Sequence, residues 1–250
     1  NMVSIRVLQA IGPQYAQDWV TRFGFEADKH PAYLTMALGA GAVTPLQMAS
    51  AYAVFANQGL RVTPWLISRV TDHKGRVLRE VPAPEPDEAN RAIDARNAFV
   101  MSSLLQEVTR SGTAAKAQAQ LKRADVYGKT GTTNDSMDAW FAGFHPTVTA
   151  VVWMGYDNPR KLGDRETGGG LSLPIWISYM EHALKSTPIA EPIAPEGVVN
   201  VGGEWFYDEY APGAGVSNLG LGDPINPEQA KPQAVPAAEE RKRILDLFKN

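Results

Sequence analysis

The run Lys129-Thr130-Gly131-Thr132-Thr133 places a cation, several hydroxyls and a glycine in consecutive positions. It follows an apolar approach, Val126 to Gly128, that is typical of a strand. On a strand, the ammonium would supply charge and the hydroxyls would supply directional hydrogen bonds, while the bare glycine would leave room for a second backbone. This pattern predicts a slot for an extended peptide that ends in a carboxylate.

Other residue types in the chain offer no comparable site. The 4 histidines are isolated, with neither an HxxxH nor an HExxH spacing, and there is no cysteine. A zinc site, a cysteine nucleophile and a serine–histidine triad are therefore disfavoured, and no metal or other cofactor is expected. The glycine runs at 39–41 and 168–170 lack the remaining residues of a dinucleotide or phosphate-binding loop, which disfavours nucleotide binding.

Charge is nearly balanced along the chain. Its 250 residues include 24 basic and 27 acidic side chains, a formal net charge of −3, and 44% of them are hydrophobic. A nucleic-acid-binding protein usually carries a basic stripe, and a surface-bound membrane protein a polybasic patch, so neither class fits and no nucleic-acid partner is expected. The apolar share is large enough to form a sizeable core.

The segments around the Lys129 run predict an antiparallel sheet. Three extended segments, at 125–132, 139–145 and 148–156, follow one another closely. The short link His145-Pro146-Thr147 favours antiparallel pairing of the last two.

Helices flank these strands in the sequence. Thr44-Pro45-Leu46-Gln47 has the pattern of a capping box, and Asp94 precedes a second, longer amphipathic helix. A further helix at 174–185 could cover the sheet, and the segments at 65–71 and 76–81 predict a separate hairpin. The predicted fold class is α+β, an antiparallel sheet covered by helices.

The Lys-Thr-Gly triplet is also one of the three motifs of the penicillin-recognising serine acyltransferases, which are Ser-x-x-Lys, Ser-x-Asn and Lys-Thr-Gly. Four longer strings resemble the transpeptidase domain of class A, or bifunctional, penicillin-binding proteins: Ala37 to Gly59, Gly128 to Phe144 (GKTGTTNDSMDAWFAGF), Val151 to Asn158 (VVWMGYDN) and Gly168 to Trp176 (GGGLSLPIW). The resemblance covers roughly residues 1–186, in the family's order. It implies the C-terminal part of that domain, with the family's fold incomplete at the N-terminus.

The resemblance implies peptidoglycan D,D-transpeptidation. A serine activated by a lysine attacks the penultimate D-alanine carbonyl of a stem peptide, and an amine from a second stem peptide resolves the acyl-enzyme. The implied partners are peptidoglycan stem peptides and the β-lactam antibiotics that imitate their D-Ala-D-Ala end. The implied location is the periplasmic, or extracytoplasmic, face of the inner membrane, with a membrane anchor and a glycosyltransferase domain upstream.

The resemblance also implies roles for individual residues. Lys129 and Asn1 would be the catalytic residues, Lys129 through its charge and Asn1 as the asparagine of the Ser-x-Asn motif. The implied substrate-binding residues are Thr130, Gly131, Thr132 and Thr133. The hydroxyls of Thr130 and Thr132 would bond the substrate carboxylate, and the backbone N–H of Thr132 would form half of an oxyanion hole.

The other two motifs are not found in the sequence. No serine is followed by lysine three positions later, and Thr113-Ala114-Ala115-Lys116 has this spacing but begins with threonine and lies in the wrong order. Asn1 to Arg6 resembles the stretch that follows the Ser-x-Asn serine. We therefore expect the nucleophilic serine to lie on an upstream segment of the same protein and the isolated chain to be inactive.

Three alternatives remain open at this stage. A D,D-carboxypeptidase or a β-lactamase of the same superfamily would use the same Lys129 run. A non-catalytic scaffold would keep the fold and only bind partners, which the missing nucleophile supports.

Composition divides the chain into three parts. Residues 1–188 are predicted to be the C-terminal portion of the transpeptidase domain. Frequent prolines and glycines without periodicity predict a linker or extended tail over 189–236. Residues 237–250 predict a short charged helix.

Overall fold

The computed structural model describes residues 2–83, 85, 87–164, 166–190 and 192–214. The α-helices in these ranges are α1 (Met2–Ile11), α2 (Pro13–Val20), α3 (Pro45–Ala56), α4 (Ala95–Arg110), α5 (Lys116–Leu121) and α6 (Leu173–Ala183). The strands are β1 (Arg69–Thr71), β2 (Val77–Glu80), β3 (Tyr127–Thr132), β4 (Ala139–His145), β5 (Val148–Met154), β6 (Val198–Val201) and β7 (Glu204–Tyr207). No helix in the described ranges has the length and apolar character needed to cross a bilayer.

The central sheet is antiparallel, in the order β3-β4-β5. Lys129 of β3 lies opposite Ala142 of β4, and Thr132 lies opposite Ala139. A tight turn after His145 brings β5 back along β4. The predicted antiparallel arrangement is confirmed, and β3 stands at the edge of the sheet as described.

Both faces of this sheet are covered, because successive side chains on a strand point to opposite faces. Val126 and Phe141 pack into a core with Trp176 of α6, whose ring meets that of Phe141 edge-on at 4.8 Å between centroids. On the other face, Tyr127 and Phe144 stack at 4.7 Å and pack against α3 and α4. The α+β fold class is confirmed, with the Lys129 run carried by a strand that is anchored on both sides.

Helices α3 and α4 begin where the sequence predicts. Thr44 Oγ1 accepts the N–H of Gln47 at 3.1 Å, and the Gln47 side chain accepts the N–H of Thr44 at 2.9 Å. This capping box satisfies backbone donors that the first turn of α3 would otherwise leave unpaired. The Asp94 carboxylate accepts the N–H of Arg96 at 2.8 Å and caps α4 in the same way.

Residues 198–207 form a β-hairpin, whereas the sequence predicted a linker or extended tail over 189–236. Gly202 and Gly203 connect its strands with φ of 65° and 94°, values that glycine adopts without steric cost. Trp205 packs edge-on against Phe99 of α4, with ring centroids 4.9 Å apart. The prolines that suggested a linker flank the hairpin and do not interrupt it. Residues 215–236, and the helix predicted at 237–250, lie outside the described residues.

A buried polar cluster joins the segment that follows α6 to the residues that precede β3. Asp125 is 1% exposed and accepts hydrogen bonds from Arg123 Nε at 2.6 Å, Arg123 Nη2 at 2.7 Å and the N–H of Ala190 at 2.6 Å. Arg123 also donates to the carbonyls of Thr187 at 3.2 Å and Pro188 at 3.1 Å. Burial alone would raise the pKa of Asp125, but the hydrogen bonds from Arg123 and Ala190 outweigh it and hold the pKa below its usual value.

His145 completes this cluster as a neutral imidazole. Its Nδ1 accepts the N–H of Thr147 at 3.1 Å, and its Nε2 lies 3.1 Å from both Asp125 Oδ2 and Arg123 Nη2. Burial lowers the pKa of His145 despite the opposing attraction of Asp125, and the charge of Arg123 lowers it further. In the sequence this histidine looked isolated, because its carboxylate partner lies 20 residues away.

Folding stability should therefore decrease as pH falls below about 6.5. The folded-state pKa of His145 lies below its unfolded value, so the unfolded chain binds the proton more readily and the stabilisation is lost as pH falls. We expect the urea midpoint to drop between pH 7.5 and 5.5 more in the wild type than in His145→Gln, which keeps a donor and an acceptor but does not titrate. Asp125 stays ionised in this window because its pKa is lowered from 3.8. An identical pH dependence of the urea midpoint in both proteins would contradict the lowered pKa of His145.

Candidate active site

A cavity of about 720 Å³ opens along β3. It is bounded by residues 129–133, by the segment 38–45 that leads into α3, and by aromatic side chains of α3, β4 and β5. In the described part of the chain, β3 has a neighbouring strand on one side only. An edge without a strand partner has the geometry that an extended peptide uses when it adds to a sheet.

Lys129 presents its ammonium at this cavity. Nζ donates to the carbonyl of Thr130 at 2.9 Å and lies 3.4 Å from Thr130 Oγ1. Within the described ranges, the ammonium has no carboxylate at salt-bridge distance. Desolvation by the surrounding atoms lowers the pKa of Lys129 from its ordinary value. An ammonium in this position can form charge-assisted hydrogen bonds to an anionic ligand.

Thr130 and Thr132 add two hydroxyls to the cavity that Lys129 lines. Thr130 Oγ1 lies 2.8 Å from Thr113 Oγ1. Thr132 Oγ1 accepts the N–H of Gly168 at 3.0 Å, so its own O–H is still able to donate to a ligand. These hydroxyls and the ammonium form a polar strip on β3, which we call the anion-binding strip after the role proposed for it below.

Thr133 lies at the same cavity, but its hydroxyl bonds to the backbone of the protein. Its Oγ1 accepts the N–H of Asp138 at 2.7 Å, and its own N–H donates to the carbonyl of Asp138 at 3.1 Å. The Thr133 side chain therefore closes the connection from β3 to β4, which holds the end of the strip in place.

Glycines let the turn before α6 rest directly on the backbone of the sheet. A Cβ on Gly168 would lie 2.2 Å from the carbonyl oxygen of Trp140 and 2.5 Å from that of Gly131. The turn is held by Thr167, whose Oγ1 accepts the N–H of Gly170 at 3.1 Å. Only a residue without a side chain fits at position 168 in this packing.

Replacing Gly168 with alanine should displace β3 or the turn, because the added Cβ meets backbone atoms that cannot move away as a flexible side chain could. We expect a loss of about 1 to 3 kcal/mol in the free energy of unfolding. Gly170→Ala is the matched control, since its Cβ would have only Thr167 Oγ1 nearby, at 3.4 Å. Urea unfolding of both variants measures the difference, and equal stability of the two would show that the close packing at Gly168 is not maintained.

Aromatic side chains form much of the cavity wall. The rings of Trp140 and Trp153 lie 5.9 Å apart, and Trp153 Nε1–H donates to Asp138 Oδ1 at 2.8 Å. Burial raises the pKa of Tyr52 to about 12, so its phenol stays neutral at physiological pH. The cavity therefore combines apolar surface with the ammonium and hydroxyls of β3.

The structure brings most of the predicted site residues together. Those that lie along the cavity are Lys129, Thr130, Gly131, Thr132 and Thr133. Asn1 lies outside the described residues. Two contacts at the site were not predicted from the sequence, where Thr113 was noted only for its spacing from Lys116. They are the approach of the Thr113 and Thr130 hydroxyls to 2.8 Å and the packing of Gly168 on the carbonyls of Gly131 and Trp140. A signal for Gly168 was present, because three consecutive glycines indicate a close backbone approach.

Known proteins match this chain closely. A family model described as "Penicillin binding protein transpeptidase domain" matches residues 1–181. Penicillin-binding protein 1A of Neisseria flavescens is 48% identical over 210 residues, which cover 84% of this chain and 26% of that protein.

Solved structures match as well. The crystal structure of penicillin-binding protein 1A from Haemophilus influenzae has a TM-score of 0.76 at 31% identity, covering 83% of this chain and 38% of that one. PonA1 from Mycobacterium tuberculosis, in complex with penicillin V, has a TM-score of 0.57 at 25% identity, covering 74% of this chain and 53% of that one.

The family match includes the Lys-Thr-Gly strand and the turn at Gly168, and the resemblance inferred from the sequence is confirmed. The chain spans less than a third of the length of the curated relatives, 26% of one and 31% of another. Over residues 1–181, this chain belongs to the penicillin-binding protein transpeptidase domain family.

Proposed function

We propose that this chain supplies the substrate-binding strand of a serine-type peptidoglycan D,D-transpeptidase. The main support is the cavity along β3, where the Lys129 ammonium lies 3.4 Å from the Thr130 hydroxyl and Thr132 lines the same cavity. These groups suit the terminal carboxylate of a stem peptide, because the ammonium supplies charge and the hydroxyls supply directional bonds. The open edge of β3 would pair with the extended peptide backbone.

In the proposed reaction, a serine attacks the carbonyl of the penultimate D-alanine and the bond to the terminal D-alanine breaks. An amine of a second stem peptide then displaces the serine and forms the cross-link. The N–H of Thr132 would donate to the oxyanion, a contribution typically worth about 3 kcal/mol. Lys129 would hold the carboxylate so that the scissile carbonyl reaches this donor.

The nucleophile in this proposal comes from outside the present sequence. None of the serines in the 250 residues is followed three positions later by a lysine. The serine and lysine of the first motif would be supplied by an upstream segment of the same protein, with Asn1 as the asparagine of Ser-x-Asn.

Stem peptides and β-lactams are the proposed ligands of the strip. A β-lactam presents a carboxylate next to its reactive carbonyl, as a stem peptide does, and the PonA1 structure holds penicillin V. The proposed place of action is the periplasmic face of the inner membrane, where stem peptides are exposed.

Fluorescent penicillin labelling tests the proposal, using the protein made from its complete reading frame. We expect one covalent label per molecule, blocked by excess unlabelled benzylpenicillin, and no label on residues 1–250 expressed alone. Absence of label at saturating dose would support a non-catalytic scaffold and overturn the proposal.

A second assay separates the enzymatic alternatives. With purified stem-peptide substrate, a transpeptidase forms cross-linked dimers that mass spectrometry detects. Release of D-alanine without dimers would indicate a D,D-carboxypeptidase, and rapid turnover of penicillin would indicate a β-lactamase. Either result would replace the proposed reaction while leaving the anion-binding strip in place.

A further inference from the structure

Thr113 lies outside the three family motifs, yet its hydroxyl reaches the anion-binding strip. Thr113 Oγ1 is 2.8 Å from Thr130 Oγ1, which is hydrogen-bonding distance for two hydroxyls. The turn before α6 passes next to this pair, because a Cβ on Gly169 would lie 3.3 Å from the carbonyl oxygen of Thr113 and 3.8 Å from Thr130 Cγ2. Three segments of the chain therefore meet at the Thr130 side chain.

The loop that carries Thr113 is held rigidly. Ala114, the next residue, is fully buried in the core under α6, and its N–H donates to the carbonyl of Val108 at 3.1 Å. Helix α4, which precedes this loop, is held by Thr109 Oγ1, which donates at 2.6 Å to the carbonyl of Val126, the residue before β3. The distance between the hydroxyls of Thr113 and Thr130 is thus set by buried packing.

The direction of this hydrogen bond matters for ligand binding. Thr130 has one hydroxyl proton, and its oxygen also faces the Lys129 ammonium at 3.4 Å, which can only donate. If Thr130 donated to Thr113, no proton would remain for an anion. If Thr113 donates, the Thr130 oxygen accepts and its own O–H points to the ligand. A carboxylate selects the second arrangement, in which each hydroxyl polarises the next.

We propose that Thr113 is a positioning residue for the substrate carboxylate: its hydroxyl donates to Thr130 Oγ1 and orients the Thr130 O–H towards the anion held by Lys129. This inference rests on the proposed function. Thr113 acts through Thr130, so its effect should depend on the negative charge of the ligand.

The test compares acylation of the protein, made from its complete reading frame, by benzylpenicillin and by its methyl ester. Thr113→Val keeps the side-chain shape but removes the hydroxyl. We expect it to lower the second-order rate constant for benzylpenicillin about 10-fold, equivalent to about 1.4 kcal/mol, and to change the rate for the ester by less than about twofold. Thr113→Ser should restore the benzylpenicillin rate. In a Thr130→Val background, Thr113→Val should add no further loss.

Several outcomes would overturn the inference. An equal loss with acid and ester would indicate a merely structural role, as would a loss that persists in the Thr130→Val background. A Thr113→Val protein that reacts like the wild type would refute the inference alone, since the wild type would still be acylated. A wild type that benzylpenicillin does not acylate would refute the proposed function and this inference with it.

Discussion

Replacement of Lys129 by alanine should lower the rate constant for acylation by benzylpenicillin about 100-fold or more. The Lys129 ammonium stands at the cavity with no carboxylate of the described residues at salt-bridge distance, so a bound carboxylate would be its counter-ion. Removing the ammonium leaves that carboxylate partly desolvated and unpaired. Time-resolved labelling with fluorescent penicillin, on the protein from its complete reading frame, measures the rate.

Two further variants test whether loss of the Lys129 charge causes the lower acylation rate. Lys129→Arg keeps the charge on a planar group of different shape, and we expect a rate between those of the wild type and the alanine variant. Lys116→Ala removes the exposed lysine of the Thr-x-x-Lys spacing and should leave the rate unchanged. A Lys129→Ala protein within about threefold of the wild type would contradict the role assigned to the strip, because one charge-assisted contact is worth more than that.

The pH dependence of the acylation rate is an independent test of the role of the Lys129 ammonium. Desolvation lowers the pKa of Lys129, so the ammonium loses its proton at a lower pH than an ordinary lysine would. Acylation by a carboxylated penicillin should therefore begin to fall at a pH below that at which an ordinary lysine titrates. The methyl ester, which carries no charge, should lack this alkaline decline.

The elements near the Lys129 run could be predicted from the sequence because their signals are local. The capping box at Thr44 and the cap at Asp94 involve residues within a few positions of one another, and both are present in the structure. The link after His145 is short enough to require a hairpin between β4 and β5. The proposed anion-binding strip lies within one short run of residues on β3, so its position followed from the prediction of that strand.

Contacts between distant segments could not be predicted in this way. Thr113 precedes Thr130 by 17 residues, and no periodicity links the two hydroxyls. Asp125 and His145 are brought together only by the register of β3 and β4. The hairpin at 198–207 was hidden because prolines outside its strands dominate the composition, whereas its stability comes from Trp205 packing on α4. In each case, tertiary packing decides what local sequence leaves open.

The Asp125 cluster carries the second large prediction. Replacing Asp125 with asparagine should reduce the free energy of unfolding by roughly 3 to 5 kcal/mol. The carboxylate is 1% exposed and accepts from the Arg123 guanidinium, whose side chain is 9% exposed. An asparagine has nearly the same shape, but its amide NH₂ would face donors and the Arg123 charge would stay buried without a counter-ion. Hydrogen exchange of β4 amides, followed by mass spectrometry, measures this loss within the protein from its complete reading frame.

The matched control is Glu80→Gln, which removes the carboxylate of the Arg69–Glu80 pair. That pair also has a short contact, 2.6 Å, but its side chains are 59% and 55% exposed, so water already solvates both charges. We expect Glu80→Gln to change the free energy of unfolding by less than about 1 kcal/mol. Because Asp125 also binds the N–H of Ala190, the Asn variant should lose protection of that amide first. If both variants lost the same small amount of unfolding free energy, the buried cluster would contribute no more to stability than a surface ion pair. In that case α6 would be held to the sheet by its apolar core alone.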